Sequence, residues 1–418
     1  MRHGSTPLIN RPCWRLYDAI YLATFGLCLL IVVGSRPVHA DTPTVTLTMR
    51  LADAEWQVMR QHVFPPFEAT CGCRVNAVDV PPETLAQRLR VMHRASRMEI
   101  DLFAQDNMLL QELVGAGLVS KLSASEAQME AAVYPTLTGV GLIDDVRYFV
   151  PFRPNVQITY YHAEKFAQYG LQPPRTWPQL LEVARTFHAK EGIGRVLFQG
   201  AGGAPTTTQL YEWIVAGGGD PFNFGDPDTV KTFRFLAELR PYLSPESRNA
   251  KWDTTNDALA QDVAYLAQNW PFGVPLLVRD YGKTAIRTYQ GWAGPAREAH
   301  VIGGDVLGIP VGAPHRQLAV ALMHHLQSQE AQSHLVTRLG WPSLRRDVQG
   351  QVEAWMKPHV EAVNNALQHG VFRTNVSYWA EYERIANEAV DRILWRQEDP
   401  DRVLPPLAIR LKALRAQQ

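Results

Sequence analysis

The segment Thr44-Val45-Thr46-Leu47-Thr48-Met49-Arg50-Leu51 alternates without a break, so Val45, Leu47, Met49 and Leu51 fall on one face of a strand. A helical stripe follows at once, with Trp56, Met59, Val63 and Phe67 at spacings of three and four. The pattern then recurs. Residues 74–80 are read as a strand, and Pro81-Pro82 leads into a helix whose Leu85, Leu89 and Met92 share a stripe. Residues 100–104 are read as a third strand, followed by a helix from Asn107 that Gly115 and Gly117 stop. Strand–helix units in succession predict a mostly parallel sheet covered by helices.

Further along, residues 148–152 and 156–161 are read as two strands separated by Arg153-Pro154, where the chain crosses between domains. Thr176-Trp177-Pro178-Gln179 fits a capping box, with Thr as N-cap and Gln three residues on, opening a helix to about Lys190. Asp226-Pro227 starts another helix in the same manner, with Val230, Phe233 and Leu236 as its stripe. Residues 263–270 are extended and alternating, 301–311 are read as a strand pair, and from Gln317 onward helices predominate. The expected architecture is α/β: two lobes and a helical C-terminal third.

The first forty residues have a different character. Arg2, Arg11 and Arg15 precede a 15-residue apolar run from Ala19 to Val33, and Gly34-Ser35-Arg36-Pro37 leads to Val38-His39-Ala40. This is the layout of a cleavable secretory signal over residues 1–40. The run falls short of the roughly 20 residues needed to cross a bilayer, and Cys28 lies inside it, not after it where a lipid acceptor belongs. The expected product is exported to the periplasm.

The 418 residues carry 41 Lys plus Arg against 41 Asp plus Glu. Residues 1–40 hold four Arg and one Asp, so 37 − 40 leaves the remainder at −3. Neither figure provides the basic face that nucleic acid or an anionic membrane requires. Two cysteines remain, as Cys71-Gly72-Cys73. An oxidising compartment permits a bridge across that turn, which only the flexible Gly72 makes possible; a tight turn with two free thiols is the alternative, and a lone C-x-C is a weak zinc motif.

Familiar catalytic signatures are missing from the sequence. Gly282-Lys283-Thr284 resembles the end of a phosphate loop, but Leu277 stands where its first Gly is required. His324 and His325 adjoin on a helix and point to different faces. No metal or cofactor is expected. A carboxylate pair for glycoside hydrolysis stays open, because the spacing that matters there is spatial. The positive feature is aromatic. Trp270-Pro271-Phe272-Gly273, Gly291-Trp292 and Gly340-Trp341-Pro342 place tryptophans in loops, whereas Trp56, Trp355 and Trp395 are assigned to the core. A loop tryptophan beside free backbone groups suits a sugar, with its apolar C–H face and rim of hydroxyls. The same residues serve equally as wedges that hold loops on the core.

Taken in order, several motifs resemble those of the solute-binding proteins of ABC sugar importers, the group that includes maltose- and trehalose-binding proteins. They are Asp101-Leu102-Phe103-Ala104-Gln105-Asp106-Asn107 with Leu113 to Leu118, Pro151-Phe152 with Tyr160-Tyr161, and Pro174-Arg175-Thr176-Trp177. Gly217-Gly218-Gly219, Asn269-Trp270-Pro271-Phe272, Gly303-Gly304-Asp305, and Arg373 with Tyr378 continue the order. The resemblance implies a type II-like periplasmic binding protein fold with discontinuous lobes joined at a hinge. Lobe 1 would hold residues 41–154 and about 306–339, and lobe 2 residues 155–305 and about 340–418. It implies a monomer that captures a neutral carbohydrate between the lobes and presents it to the importer's membrane permease, without catalysis. The rivals are a secreted glycoside hydrolase and a binding protein that serves a sensor.

The same resemblance implies a set of ligand-binding residues. Glu55 follows the first strand, where the group places an acid that accepts sugar hydroxyls; a helix N-terminal charge is the alternative. Asp106 matches the acid after the third strand, with Asn107 beside it as a possible N-cap. Asn155 stands where many relatives have Asp or Glu, and its amide both donates and accepts. Trp270 matches a stacking aromatic. Gly304-Asp305 replaces a common Gly-Gly-Trp, trading a stacking face for an acceptor. Arg373 offers a planar fork for two vicinal hydroxyls. Trp341 and Glu212 complete the set, each with a structural role as the alternative.

Overall fold

A computed structural model describes residues 42–348 and 352–416, and the export signal expected at 1–40 lies outside the described residues. The alternation at the start of the chain sets the first core. Strand β1 (Thr44–Met49) sends Val45, Leu47 and Met49 into one apolar cluster, joined by Leu51 just past its end. The helical run from Asp53–Val58 through Met59–Val63 to Phe64–Cys71 covers that face with Trp56, Met59, Val63 and Phe67. Gly72 turns the chain with a φ of +61°, and Cys71 and Cys73 are joined as a disulfide across it. Only a residue without a Cβ adopts that backbone region at no cost. The turn reading holds, in its bridged form.

Strands β2 (Arg74–Asp79) and β3 (Leu102–Asp106) both pair with β1 in parallel. β3 divides its residues between faces: Leu102 and Ala104 enter the first cluster, while Phe103 enters a second one with Leu85, Leu89, Leu110 and Leu113. Helices Pro82–Arg94 and Leu110–Gly115 supply that second layer. The latter helix begins later than expected. Asp106 Oδ1 accepts from Met108 N at 2.8 Å, so the turn after β3 uses three residues before the helix can start, and Asn107 is not its N-cap.

The short hairpin of β4 (Leu142–Ile143) and β5 (Val146–Arg147) precedes two crossing strands. β6 (Phe149–Val156) runs straight through Arg153-Pro154, and the break before β7 (Ile158–His162) falls at Gln157. Arg153-Pro154 does not separate two strands: Pro154 is tolerated because, among the described residues, β6 pairs only with β11, and proline on an edge strand removes only a donor. β8 (Val196–Leu197), β9 (Leu266–Asn269) and β10 (Ile286–Tyr289) join β7 in a second sheet of order β10-β7-β9-β8. Instead of a strand pair, residues after 300 form one long strand, β11 (His300–Gly308), in the first sheet, followed late in the chain by β12 (Gly370–Phe372).

Helices cover both faces of the second sheet. Trp177–Glu191, Gly203–Gly217, Pro227–Leu239, Trp379–Val390 and Pro400–Arg415 build one cluster, while Trp252–Ala260 and Lys357–Gln368 build the other. Thr176 and Asp226 cap their helices as expected, through Gln179 N and through Asp228 N and Thr229 N. The Gln179 side chain closes on Arg175 N, one residue earlier than a standard capping box. Of the three core tryptophans, Trp56 is buried, while Trp355 and Trp395 lie half-buried against the clusters.

β11 organises the join between the sheets. On one edge it pairs antiparallel with β6 from Ile302 to Gly308. On the other it pairs in parallel with β12 at His300–Ile302 and antiparallel with β3 at Asp305–Gly308. β3 and β12 therefore run toward each other and end at Gly303-Gly304. Gly304 has a φ of +98°, and a Cβ there would lie 2.0 Å from Arg153 O. Gly117, by contrast, has a φ of +64° and nothing within 4 Å of a Cβ. Gly117→Ala is expected to cost about 1–2 kcal/mol in chemical denaturation, the ordinary left-handed penalty. Gly304→Ala is expected to cost more than that, because steric overlap with backbone adds to the strain. Equal losses would contradict this account of the crossing.

Candidate ligand-binding site

Residues paired across neighbouring strands share a face of the sheet. Asp106 on β3 pairs with Asp305 on β11, and Asp305 pairs with Arg153 on β6. Two residues on along β6, Asn155 pairs with Gly303 and lies on the same side as Arg153. The Trp270 ring closes this row, since a methyl placed on Gly303 would come within 2.9 Å of its Cη2. Thus Asp106, Asp305, Arg153, Asn155, Gly304 and Trp270, distant in sequence, gather where β3, β6 and β11 meet.

Arg153 ties this row to the first helix. Its guanidinium donates to Asp305 Oδ2 at 2.6 Å, stands 3.9 Å from Glu55 Oε1, and lies 4.6 Å from the Trp341 ring centroid. Trp341 Nε1 donates to Glu55 Oε1 at 2.9 Å. Glu55 Oε2 meanwhile accepts from Ala52 N at 2.8 Å, so the carboxylate both caps its helix and faces the row. Burial raises the Asp305 carboxyl above the usual range, and Arg153 pulls it back. Sequence reasoning passed over Arg153 as a crossing point. The available signal was the lone charge inside Phe149-Val150-Pro151-Phe152-Arg153-Pro154-Asn155-Val156, a mostly apolar strand that has to turn that side chain toward something polar.

At the meeting of β3 and β12 a second polar group forms. Asn107 N donates to Gly304 O at 3.0 Å, its Nδ2 to Ile302 O at 3.3 Å, and its own carbonyl accepts from Asn375 Nδ2 at 2.8 Å. Arg373, 7% exposed, donates from Nη1 to Thr208 Oγ1 at 2.8 Å. Burial lowers the Arg373 pKa, and nearby Asp106 offsets part of that cost. Asn107 Oδ1, Arg373 Nε and Asn375 Oδ1 are buried polar atoms without a hydrogen-bond partner among the described residues. Buried polar groups are ordinarily satisfied, so such a cluster calls for a reason. Asn375 and Thr208 were not anticipated, since neither belongs to a motif.

Residues 63–362 match the family of bacterial extracellular solute-binding proteins. The chain belongs to that family. The fold agrees: this solute-binding protein superposes on the sugar-binding protein MalE of Xanthomonas citri with a TM-score of 0.76 at 17% identity, covering 90% of this chain and 98% of that one. The cyclic α-maltosyl-1,6-maltose binding protein of Arthrobacter globiformis matches with a TM-score of 0.75 at 18% identity over 89% of this chain and 99% of its own. A multiple sugar-binding protein of Streptococcus mutans is 28% identical over 192 residues, which is 42% of this chain and 45% of that relative. The solute-binding protein therefore matches under half the length of that relative. Its architecture is the two-lobed α/β fold of these structures. Among the described residues no helix is long and apolar enough to cross a membrane.

Glu212 stands apart from the row. It is 2% exposed, and its oxygens accept from Gln268 Nε2 on β9 at 2.5 Å and from Val301 N on β11 at 2.6 Å. Gln268 Oε1 in turn accepts from Gln209 and Trp213. The carboxylate thus fastens the helix Gly203–Gly217 to both sheets, which is the structural alternative foreseen for it. Burial pushes its pKa from 4.5 up to about 7, against the pull of His300. Because the folded state then holds the proton longer than the unfolded chain, stability falls as pH rises from 4.5 toward 7. In urea titrations of the solute-binding protein, Glu212→Gln is expected to lack that decline; an unchanged pH slope would contradict a protonated Glu212.

Proposed function

We propose that this chain captures a neutral sugar between its two lobes in the periplasm, as a monomer, and delivers it to the permease of an ABC importer. The observation that carries the reading is the row at the strand crossing. The Trp270 ring lies against Gly303, whose strand partner is Asn155, with carboxylates and a guanidinium along the same face. A flat apolar surface flanked by hydroxyl donors and acceptors is the chemistry of sugar recognition. The unpartnered atoms of Asn107, Arg373 and Asn375 add capacity for hydroxyls at the edge. The sugar-binding relatives support the same ligand class.

We place the lobes at 41–154 with about 306–339, and at 155–305 with about 340–418. Two of the three crossings then fall inside β6 and β11, continuous strands that can act as hinge elements, and the third follows the helix Gln329–Leu339. The helix Gln329–Leu339 supports its place in the first lobe, because Leu335 shares a cluster with β1. A cavity of about 670 Å³ lies beside the β4–β5 hairpin, walled in part by Arg373, Thr374 and Asn375. Its lining among the described residues carries no tryptophan, and the stacking chemistry favours the row instead.

Ligand that binds only the folded state raises apparent stability, so a thermal-shift panel of mono- and disaccharides identifies the sugar. Trp270 is 6% exposed and packs in a core cluster, so truncating it would disturb folding as well as binding. Asn155 separates the two, because its side chain makes no hydrogen bond to any described residue. Asn155→Ala is expected to weaken sugar binding by about 1 kcal/mol, one net hydrogen bond, with the melting midpoint preserved. Unchanged affinity removes Asn155 from the site. Turnover of a tightly bound sugar would contradict the transport reading in favour of a hydrolase.

A further inference from the structure

Arg153 makes three contacts that resemble those of a ligand. Its guanidinium carbon lies over the Trp341 ring, 4.6 Å from the centroid, and the group donates to Asp305 Oδ2 at 2.6 Å and approaches Glu55 Oε1 at 3.9 Å. A sugar ring would engage the same partners by the same chemistry, an apolar face on the indole and paired hydroxyl donors on the carboxylates. Guanidinium and sugar cannot share one face of one indole. The Arg153 side chain is 26% exposed and extends from a strand, so it has solvent to move into. Trp341 and Pro271, the neighbour of Trp270, also line one small cavity of about 40 Å³.

Resting on the sugar reading above, we propose that Arg153 is an intramolecular competitor: in the free protein its guanidinium covers the Trp341 face, and a sugar that reaches Trp341 binds by displacing it. Affinity for such a sugar is reduced by the fraction of molecules in which the ring is covered. A sugar held by Trp270 alone meets no such competition. Arg153 thereby sets selectivity between ligands that reach Trp341 and ligands that do not.

Arg153→Lys tests this, because lysine keeps the positive charge beside Asp305 but lacks the planar group that stacks on indole. For the tightest sugar of the panel that protects Trp341 from quenching, the lysine variant is expected to bind roughly three- to tenfold more tightly, the scale of one partly exposed cation–π contact. The gain is expected to vanish when Arg153→Lys is made in a Trp341→Ala background. Without ligand, acrylamide should quench the lysine variant's tryptophan fluorescence more than the parent's, a difference also absent in that background. Arg153→Gln, which removes the charge and the stack together, should uncover the ring in the same assay and serves if the lysine variant folds poorly. Weaker or unchanged binding by Arg153→Lys, with the parent still binding sugar, overturns the competitor and leaves the sugar reading intact. A gain that persists without Trp341, or unaltered quenching, also overturns it. Failure of every protein to bind any sugar overturns the sugar reading and this inference with it.

Discussion

The rest of the structure depends on β11 having neighbours on both edges. Its nine residues, His300–Gly308, hold β6 along one side and share the other between β12 and β3. Backbone hydrogen bonds impose this arrangement, since a strand inside a sheet must have its donors and acceptors met. Two strands running head-on along one edge must stop short of each other. At that gap the backbone passes through Gly303 and Gly304, which leave room for the Trp270 ring and the Arg153 carbonyl. The candidate site is thus a consequence of topology. Strand ends converge there, carrying Asp106, Asn107 and Arg373 to one place from widely separated parts of the chain.

Charge is handled locally at this junction. Asp305 is matched by Arg153, and the buried Arg373 is offset by Asp106. Pairing matters because a carboxylate or guanidinium removed from water without a partner is expensive. Glu212 has a different solution: it is deeply buried, accepts two hydrogen bonds, and has its pKa raised to about 7. With opposite charges paired in the row, the surroundings suit an uncharged, hydroxyl-rich ligand. Long-range attraction is unnecessary for such a ligand, in keeping with a sequence whose 41 basic and 41 acidic residues balance.

Much of the fold was legible because periodicity reports burial. The alternation of Val45, Leu47, Met49 and Leu51 and the stripe of Trp56, Met59, Val63 and Phe67 converge on one cluster, as their spacing predicts. Caps at Thr176 and Asp226 were legible because each depends on residues three or fewer positions away. Proline misled at Arg153-Pro154, since its local effect is to break structure and only the sheet position shows it tolerated. The extent of β11 is not legible in residues 301–311, where Gly303-Gly304 lacks the side chains whose alternation marks a continuous strand. In the candidate site, motif resemblance reached Glu55, Asp106, Asn155, Trp270 and Asp305. Arg153 and Asn375 escaped because their importance lies in contacts with Trp341 and Asn107, far away in sequence.

Closure of two lobes around a sugar is the central claim, and small-angle X-ray scattering measures it most directly. The chain without residues 1–40 is compared alone and saturated with the sugar that most raises its melting temperature. The account predicts a smaller radius of gyration and a shorter maximum dimension with sugar bound. Identical profiles at saturation would contradict it.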